Sequence, residues 1–181
     1  MSPTVPPARR VLATLLFTDV VGSTERAAAL GDERWHALLA RHDAALRRAV
    51  DAHGGRLVNQ FGDGALALMP GPSDAVGAAE ALRADVAAAG LEVRAGVHAG
   101  ECLLAGGDVR GLAVHVAARV AALAQPGEVL VSRTVADLLL GSGRRLEDRG
   151  EHALRGVPGR WRLHAPATAP VVRAPRLSVA A

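Results

Sequence analysis

Residues 15–26 read LLFTDVVGSTER. The apolar run of residues 11–19 is typical of a central β-strand, and it stops at a carboxylate, Asp19. Gly22, Ser23 and Thr24 follow almost at once, ahead of a helical pattern, so they would present backbone N–H groups at the start of a helix. The stretch therefore predicts a strand that ends beside an anion-binding turn.

Strand and helix patterns continue outward from this stretch. Residues 22–53 have helical spacing, and residues 56–69 are two apolar arms around Gly62-Asp63-Gly64, which predicts a β-hairpin. The other periodic segments are helices at 73–89 (capped by Ser73 or Asp74), at 111–124 and just after 132, and strands at 91–104, 128–132, 144–154 and 160–164, the last two as edge strands. The order predicts an α+β domain whose helices cover one face of a mostly antiparallel sheet.

The composition narrows the class of protein. The chain has 181 residues, half of them hydrophobic, and a formal net charge of +3, which suits one domain. Its arginines are not interleaved with aromatic residues, so nucleic acid is not an expected partner. The single cysteine, Cys102, excludes an internal disulfide and is expected to be a buried strand residue.

The two ends of the chain differ from its middle. Residues 1–9 are rich in Pro and residues 166–181 in Pro and Ala, so both are expected to be disordered, which leaves residues 10–165 as the folded domain. The sequence shows neither a secretory signal pattern nor an apolar run of membrane-spanning length. We therefore expect a cytoplasmic protein with no membrane partner.

Two acidic residues lie at strand ends, and each is flanked by apolar residues. If the hairpin pairs beside the first strand, Asp19 and Asp63 meet at the same edge of the sheet. Converging carboxylates repel each other unless a cation lies between them, and Mg²⁺ prefers such oxygen ligands. In the alternative interpretation, the helix N-cap is Asp19 or, instead, Ser23 or Thr24. Asp63 is then an ordinary turn residue.

A helical segment supplies a third candidate group. His115 and Arg119 are four residues apart and therefore share one helix face. A His and an Arg aimed together would stabilise an anion. The alternative is that both belong to a solvated polar stripe.

Three stretches in this order resemble the catalytic domain of class III adenylate/guanylate cyclases, in particular its compact actinobacterial type. They are FTDVVGST at 17–24, QFGDGALA at 60–67 and DVRGLAVHVAAR at 108–119. GEVLVSRTV at 127–135 and EDRGEHALRGVPGRWRL at 147–163 are also similar, so the resemblance covers about residues 10–164. It implies a ferredoxin-like sandwich, the nucleotidyl cyclase fold. It also implies a head-to-tail homodimer with composite sites, in which the ribose 3′-hydroxyl of ATP attacks the α-phosphate and pyrophosphate leaves.

The resemblance assigns roles by motif position. Asp19, Asp63 and the carbonyl of Val20 would hold two Mg²⁺ or Mn²⁺ ions per site. The remaining roles are phosphate binding by the turn that includes Gly22, Ser23 and Thr24, transition-state stabilisation by Arg119, ribose positioning by His115, and phosphate binding by Arg155.

Two positions depart from the best-known family pattern. Asn59 stands where the family has a purine-selecting Lys, and His115 stands where many members have Asn. Asp108, the partner of that Lys, would accept a hydrogen bond from the adenine amino group and repel the O6 atom of guanine, which favours ATP over GTP. A guanylate cyclase and a low-activity, cyclase-like regulatory domain are the alternatives.

Overall fold

A computed structural model describes residues 8–167, so most of the disorder expected for residues 1–9 and 166–181 lies outside the described part, whereas Arg9 and Pro166 belong to strands. Residues 8–167 form eight strands: β1 (Arg9–Val20), β2 (Arg56–Phe61), β3 (Gly64–Met69), β4 (Val93–Ala105), β5 (Asp108–Arg110), β6 (Val129–Ser132), β7 (Leu146–Ala153) and β8 (Arg160–Pro166). The same residues form five helices: α1 (Ser23–Leu30), α2 (Asp32–Ala52), α3 (Pro72–Ala87), α4 (Leu112–Leu123) and α5 (Arg133–Leu138). The predicted α+β class is confirmed.

The strands form one sheet with the order β2-β3-β1-β4-β6-β8-β7, and β5 pairs with β4 outside that path. The β4–β6 pair is parallel and the other pairs are antiparallel. β1 therefore lies inside the sheet, between β3 and β4. The prediction of two C-terminal edge strands is half wrong, because β8 lies between β6 and β7.

One face of the sheet is covered by α2, α3 and α5. Alternate strand residues such as Leu16, Val20 and Val97 point to this face and pack with Leu46 of α2 and Leu82 of α3, all at most 2% exposed. Such alternation is the pattern of a sheet with a buried face. The core is built from small and medium aliphatic side chains, as the composition indicates.

α4 lies on the opposite face, so the prediction that helices cover one face only is wrong. Its Ala113 and Ala117 pack with Leu15, Leu66 and Cys102. A Cβ on Gly96 would lie only 2.3 Å from Ala121 N, so the absence of a side chain there lets the helix backbone approach the strand. The expectation that Cys102 is a buried strand residue is confirmed.

Two helix boundaries differ from the prediction. The single helix over residues 22–53 is two helices, because Gly31 has φ 77° and interrupts the helical backbone. α3 begins at Pro72, with Gly71 before it in an extended conformation and no side-chain cap. Ser73 and Asp74 therefore lie within its first turn, and neither caps it.

α4 covers only part of its face. Beside it, Phe17, Val58 and Leu68 are half-buried and Phe61 is 54% exposed, and Leu112, the first residue of α4, is 55% exposed. The rings of Phe17 and Phe61 stack with centroids 6.3 Å apart. This partly exposed apolar surface is called the open face below.

Candidate active site

Asp19 lies near the end of β1, inside the sheet. It is opposite Arg94 of β4, and both side chains are partly buried. Asp19 Oδ2 accepts hydrogen bonds from Arg94 Nε at 2.9 Å and Nη2 at 2.5 Å. These are charge-assisted bonds to a strand residue. Because Gly22 precedes α1 as its N-cap, the alternative interpretation of Asp19 as a helix cap is wrong.

The β2–β3 hairpin brings Asp63 to the same end of the sheet, where β1 finishes. This end is called the carboxylate edge below. β3 pairs with β1 as far as Ala65 opposite Thr18, and Asp63 lies in the turn just before β3. A Cβ on Gly64 would lie 3.6 Å from Asp19 Oδ1, so the hairpin turn lies directly beside that carboxylate. The predicted pairing of the hairpin with the first strand is confirmed.

The donor set at this edge suits a hard divalent cation. Within residues 8–167 the side-chain hydrogen bonds of Asp19 all use Oδ2, and the Asp63 side chain has neither a hydrogen bond nor an ion pair. Neighbouring carboxylates with free oxygens repel each other unless a cation offsets their charge. The described residues contain no group of three or more His, Cys, Asp or Glu side chains placed to hold a metal. Two carboxylates are nevertheless enough for Mg²⁺, which fills its other positions with water and phosphate oxygens.

The turn after β1 ends in a left-handed glycine. Gly22 has φ 64°, its carbonyl accepts the first bond of α1 from Arg26 N, and no side chain caps the helix. Ser23 and Thr24 do not act as caps, so the N–H groups of the first turn are available to an anion. Arg26 Nε donates to Val21 O at 3.3 Å and its Nη1 to Gly90 O at 2.9 Å. These bonds hold the positively charged Arg26 guanidinium beside the turn.

A β-bulge determines where Asn59 lies. The β2–β3 register shifts between Leu57 and Asn59, which places Asn59 opposite Leu66. Leu66 points to the α4 side of the sheet, so the bulge brings Asn59 to the open face. The next residue, Gln60, accepts a bond from Arg47 Nη2 of α2 at 2.7 Å and therefore faces the other way.

Asp108 begins β5, a strand that the sequence analysis did not predict. Its Oδ1 accepts a bond from Val109 N at 2.8 Å and its Oδ2 from Arg110 Nε at 2.9 Å. The Arg110 guanidinium and the Val109 N–H hold the pKa of the Asp108 carboxyl below its usual range. Arg56 of β2 donates to Gly107 O at 3.1 Å, so the strands that carry Asn59 and Asp108 are neighbours.

The third group lies on α4 and on the loop after β7. His115 and Arg119 are both exposed on α4, one turn apart. Arg119 Nε donates to the backbone carbonyl of Arg155 at 3.2 Å, which joins the helix to the segment that holds the other candidate phosphate ligand. The structure thus brings Arg119 and Arg155 together.

The predicted residues do not form a single cluster in one chain. Asp19 pairs opposite Arg94 at the start of β4, whereas Asp108 pairs opposite Ala105 at its end. Eleven residue steps separate Arg94 from Ala105, and each step of a strand rises about 3.3 Å. The carboxylate edge and the predicted base-recognition residue therefore lie at opposite ends of β4.

His98 is a buried ionisable group beneath α4, between the two candidate regions. It lies on β4 between Gly96 and Gly100, and its Nδ1 and Ser132 Oγ are 2.8 Å apart. The Trp161 ring packs edge-on, with centroids 5.7 Å apart. Burial lowers the pKa of His98 to about 4, so the ring is neutral at pH 7.

The sequence of the chain is similar to those of known proteins. The family model for the adenylate and guanylate cyclase catalytic domain matches residues 6–165. The chain belongs to this family. An uncharacterised protein of Mycobacterium tuberculosis is 38% identical over 125 residues, which are 68% of this chain and 33% of that protein. A Glutamicibacter nicotianae protein named adenylate cyclase is 31% identical over 130 residues, 71% of this chain and 32% of that protein.

The cyclase fold is also shown by a solved structure. The crystal structure of the adenylyl cyclase CyaB from P. aeruginosa aligns with a TM-score of 0.79 at 22% identity and covers 91% of this chain and 97% of that one. This cyclase chain spans about a third of the length of the two curated relatives. No helix within residues 8–167 has both the length and the hydropathy needed to cross a membrane.

Sequence reasoning missed Arg94 and Arg26, which surround the candidate cyclase site. Arg94 is a charged residue within the otherwise apolar segment VRAGV, and its position in that segment is the signal that could have indicated a buried partner. Arg26 follows the Gly-Ser-Thr turn within one helical turn, and its contact with Gly90 joins residues 64 positions apart. That contact is long-range, so the local pattern carries no signal of it.

Proposed function

We propose that the protein is an adenylate cyclase that converts ATP to 3′,5′-cyclic AMP and pyrophosphate as a cytoplasmic homodimer. The proposal depends above all on the sheet edge where Asp19, the Asp63 hairpin and the uncapped helix start at Gly22 come together. This edge offers carboxylate oxygens to cations and backbone N–H groups to phosphates. These are the groups that a nucleoside triphosphate with its metal ions requires.

Asp19, Asp63 and the carbonyl of Val20 would hold two Mg²⁺ or Mn²⁺ ions. Bound there, the ions would lower the pKa of the ribose 3′-hydroxyl and offset the phosphate charge. The chain itself fixes the two carboxylates on a strand and on a tight hairpin that pairs with it. Such support limits the movement of both ligands.

The phosphates would bind at the start of α1. The N–H groups at Ser23 and Thr24 and the positive end of the helix dipole favour the charge of the β- and γ-phosphates. Gly22 lets the backbone turn there with φ 64°. Arg155 would contribute a further phosphate contact from the loop after β7.

α4 would supply the groups for the transition state. The Arg119 guanidinium would stabilise the charge that develops at the α-phosphate as the 3′-hydroxyl attacks and pyrophosphate leaves. His115, one turn earlier on the same helix, would donate a hydrogen bond that positions the ribose. The bond from Arg119 Nε to the carbonyl of Arg155 holds the guanidinium and leaves its terminal nitrogens for substrate.

Asp108 and Asn59 would select the purine. Asp108 is held ionised by Arg110 and Val109, so its carboxylate can only accept hydrogen bonds. The adenine amino group donates, whereas guanine presents the O6 acceptor and is repelled. Asn59 would donate to adenine N1 without a charge.

A homodimer would complete both sites. The carboxylate edge and Asp108 lie at opposite ends of β4, so each site would take its metal ligands from one chain and Asp108 from the other. The open face, with Phe61 and Leu112 more than half exposed, offers the apolar surface for that contact.

A product assay tests the proposal. Purified protein is incubated with ATP or GTP and Mn²⁺ or Mg²⁺, and cyclic nucleotides are resolved by chromatography. We expect cyclic AMP, with formation in Asp19→Ala reduced about 1000-fold because a metal ligand is lost. Asp85→Ala is the control, since Asp85 pairs with Arg48 on the helical layer. Undiminished activity in Asp19→Ala would overturn the metal assignment.

A nucleotide-binding domain of cyclase shape with little turnover is the second candidate. It is favoured by Asn59, an exposed and uncharged residue on the open face where the resembling family has Lys. Assays with Mn²⁺ at high protein concentration separate the two candidates. ATP binding with no more product than in Asp63→Ala would support the regulatory domain, and a preference for GTP in direct competition would indicate a guanylate cyclase.

A further inference from the structure

The loop between β7 and β8 carries Arg155 on a tight turn with buried ends. Val157 N donates to Leu154 O at 2.9 Å, and Gly156 has φ 77°, a left-handed conformation that favours glycine. Leu154 and Val157 are 3% and 9% exposed and belong to the same buried cluster as Val116 of α4. Arg155 itself is exposed, so its side chain projects from a turn whose two ends are anchored.

Trp161 of β8 holds the second half of this loop. Its Nε1 donates to the carbonyl of Pro158 at 3.0 Å, and its ring packs against the buried cluster beneath α4. Pro158 directly follows the buried Val157. The indole bond therefore fixes the loop just after the turn that carries Arg155.

The Trp161 ring lies against a buried pair of polar side chains. It packs edge-on against His98 of β4, with ring centroids 5.7 Å apart. His98 Nδ1 and Ser132 Oγ of β6 are 2.8 Å apart, and the two residues are 5% and 0% exposed. Because side chains in a close-packed interior have little freedom, this pair gives the indole a fixed support. The loop is thus tied to the centre of the sheet as well as to β7 and β8.

The same loop also holds a side chain of α4. Arg119 Nε donates to the carbonyl oxygen of Arg155 at 3.2 Å. The position of one short turn therefore determines where two guanidinium groups lie.

We infer that Trp161 is a positioning residue: through its bond to Pro158 and its contact with His98, it fixes the turn that presents Arg155 and holds Arg119. The inference rests on the proposed function, which gives both arginines contacts with the substrate phosphates. It assigns no contact between Trp161 and substrate.

A role in packing alone is the competing explanation for Trp161. Trp161→Phe separates the two, because phenylalanine keeps an aromatic ring near His98 but has no N–H for the Pro158 carbonyl. Loss of one hydrogen bond of typical strength corresponds to about a 3–10-fold change in a local opening equilibrium. If packing alone mattered, the turn would open no more readily than before.

The first test is amide hydrogen exchange of Val157, whose N–H is bonded within the turn. We expect exchange about 3–10-fold faster in Trp161→Phe than in wild type. Val97 of the central strand β4 should change less, because it reports on the stability of the whole domain. Trp35→Phe is the matched control. Trp35 is the other tryptophan, is also partly buried, and has no side-chain hydrogen bond within residues 8–167, so Val157 should be unaffected.

The second test is kcat/KM for cyclic nucleotide formation in a double-mutant cycle. Trp161→Phe should lower kcat/KM about 3–10-fold in the wild-type background. In the Arg155→Ala background the loss should be smaller, because the side chain that Trp161 positions is absent. A purely structural effect would be the same in both backgrounds.

The outcomes separate the inference from the proposed function. Val157 exchange at the wild-type rate in Trp161→Phe would overturn the anchoring role, and equal losses of kcat/KM in both backgrounds would overturn the positioning of Arg155. If Trp161→Phe does not fold, the wild-type indole protons decide: that of Trp161 should exchange more slowly than that of Trp35, and equal rates would overturn the bond to Pro158. If the wild type forms no cyclic nucleotide, the proposed function fails, whereas Val157 exchange still decides whether Trp161 anchors the loop.

Discussion

The two ends of β4 differ in how many groups of the candidate site one chain brings into contact there. At its start, Arg94 and Asp19 are partly buried and paired, and the hairpin turn lies beside them. At its far end, the Asp108 carboxylate is bonded, among residues 8–167, only to its sequence neighbours Val109 and Arg110. One chain therefore assembles the carboxylate edge by its own folding, whereas under the proposed function a second chain would complete the end that carries Asp108.

Mixing two inactive variants is the strongest test of this division. Asp19→Ala and Arg119→Ala should each lose at least about 100-fold in activity, because each removes a group from every site. If each composite site takes Asp19 from one chain and Arg119 from the other, about half of the dimers in an equimolar, exchanged mixture are heterodimers with one intact site. About a quarter of the wild-type activity should then return in the product assay.

The control for this mixing experiment combines two variants of the same end. Asp19→Ala mixed with Asp63→Ala should remain inactive, since every site then lacks a carboxylate. If the mixture with Arg119→Ala also remains inactive although dimers exchange, Asp19 and Arg119 of each site come from one chain, and the composite site is wrong.

The middle of β4 determines whether α4 keeps its place between the two ends. Gly96→Ala would put a Cβ 2.3 Å from Ala121 N and 2.6 Å from Ala117 O, both backbone atoms that cannot turn aside. We expect a loss of about 1–3 kcal/mol in the free energy of unfolding, measured by urea denaturation. Gly100→Ala, on the same face but 3.0 Å from the Ala113 and His98 side chains, should lose less. The reverse order would mean that α4 is not fixed at Gly96.

A smaller effect is expected from pH. The pKa of His98 is lowered to about 4 in the folded protein, against 6.5 for an ordinary histidine, so between these values the unfolded chain binds the proton more strongly. This contribution to stability is complete above about pH 6.5 and declines as the pH falls toward 4. Urea denaturation at several pH values should show the decline, less steeply in His98→Gln, whereas the exposed His36→Gln control should match wild type.

Features with a local cause could be predicted from the sequence. The strand before Asp19 and the hairpin around Asp63 follow from apolar patterning and Asp-Gly turn chemistry, and α4 follows from its helical spacing. The resemblance of the three motifs to cyclases indicated the fold family, which the family model and the solved structure confirm. The site roles of the named residues stay predictions.

Features that depend on distant residues could not be predicted. The bulge before Asn59 and the short strand at Asp108 become visible only when β2 and β4 have partners. The helical spacing of residues 22–53 predicts one helix, although Gly31 has a φ of 77° that divides it. The Arg94–Asp19 pair joins residues 75 positions apart, and nothing in the local sequence of either one specifies the other.

The contact of α4 with Gly96 has a consequence for accuracy of placement. Because a helix backbone lies directly against a strand backbone there, no side chain intervenes whose rotamer could vary from molecule to molecule. The position of Arg119 relative to β4 then varies through its own side chain alone, because no layer of other side chains lies between the helix and the strand at this point. Gly96 therefore sets the distance and alignment of the whole helix relative to the sheet.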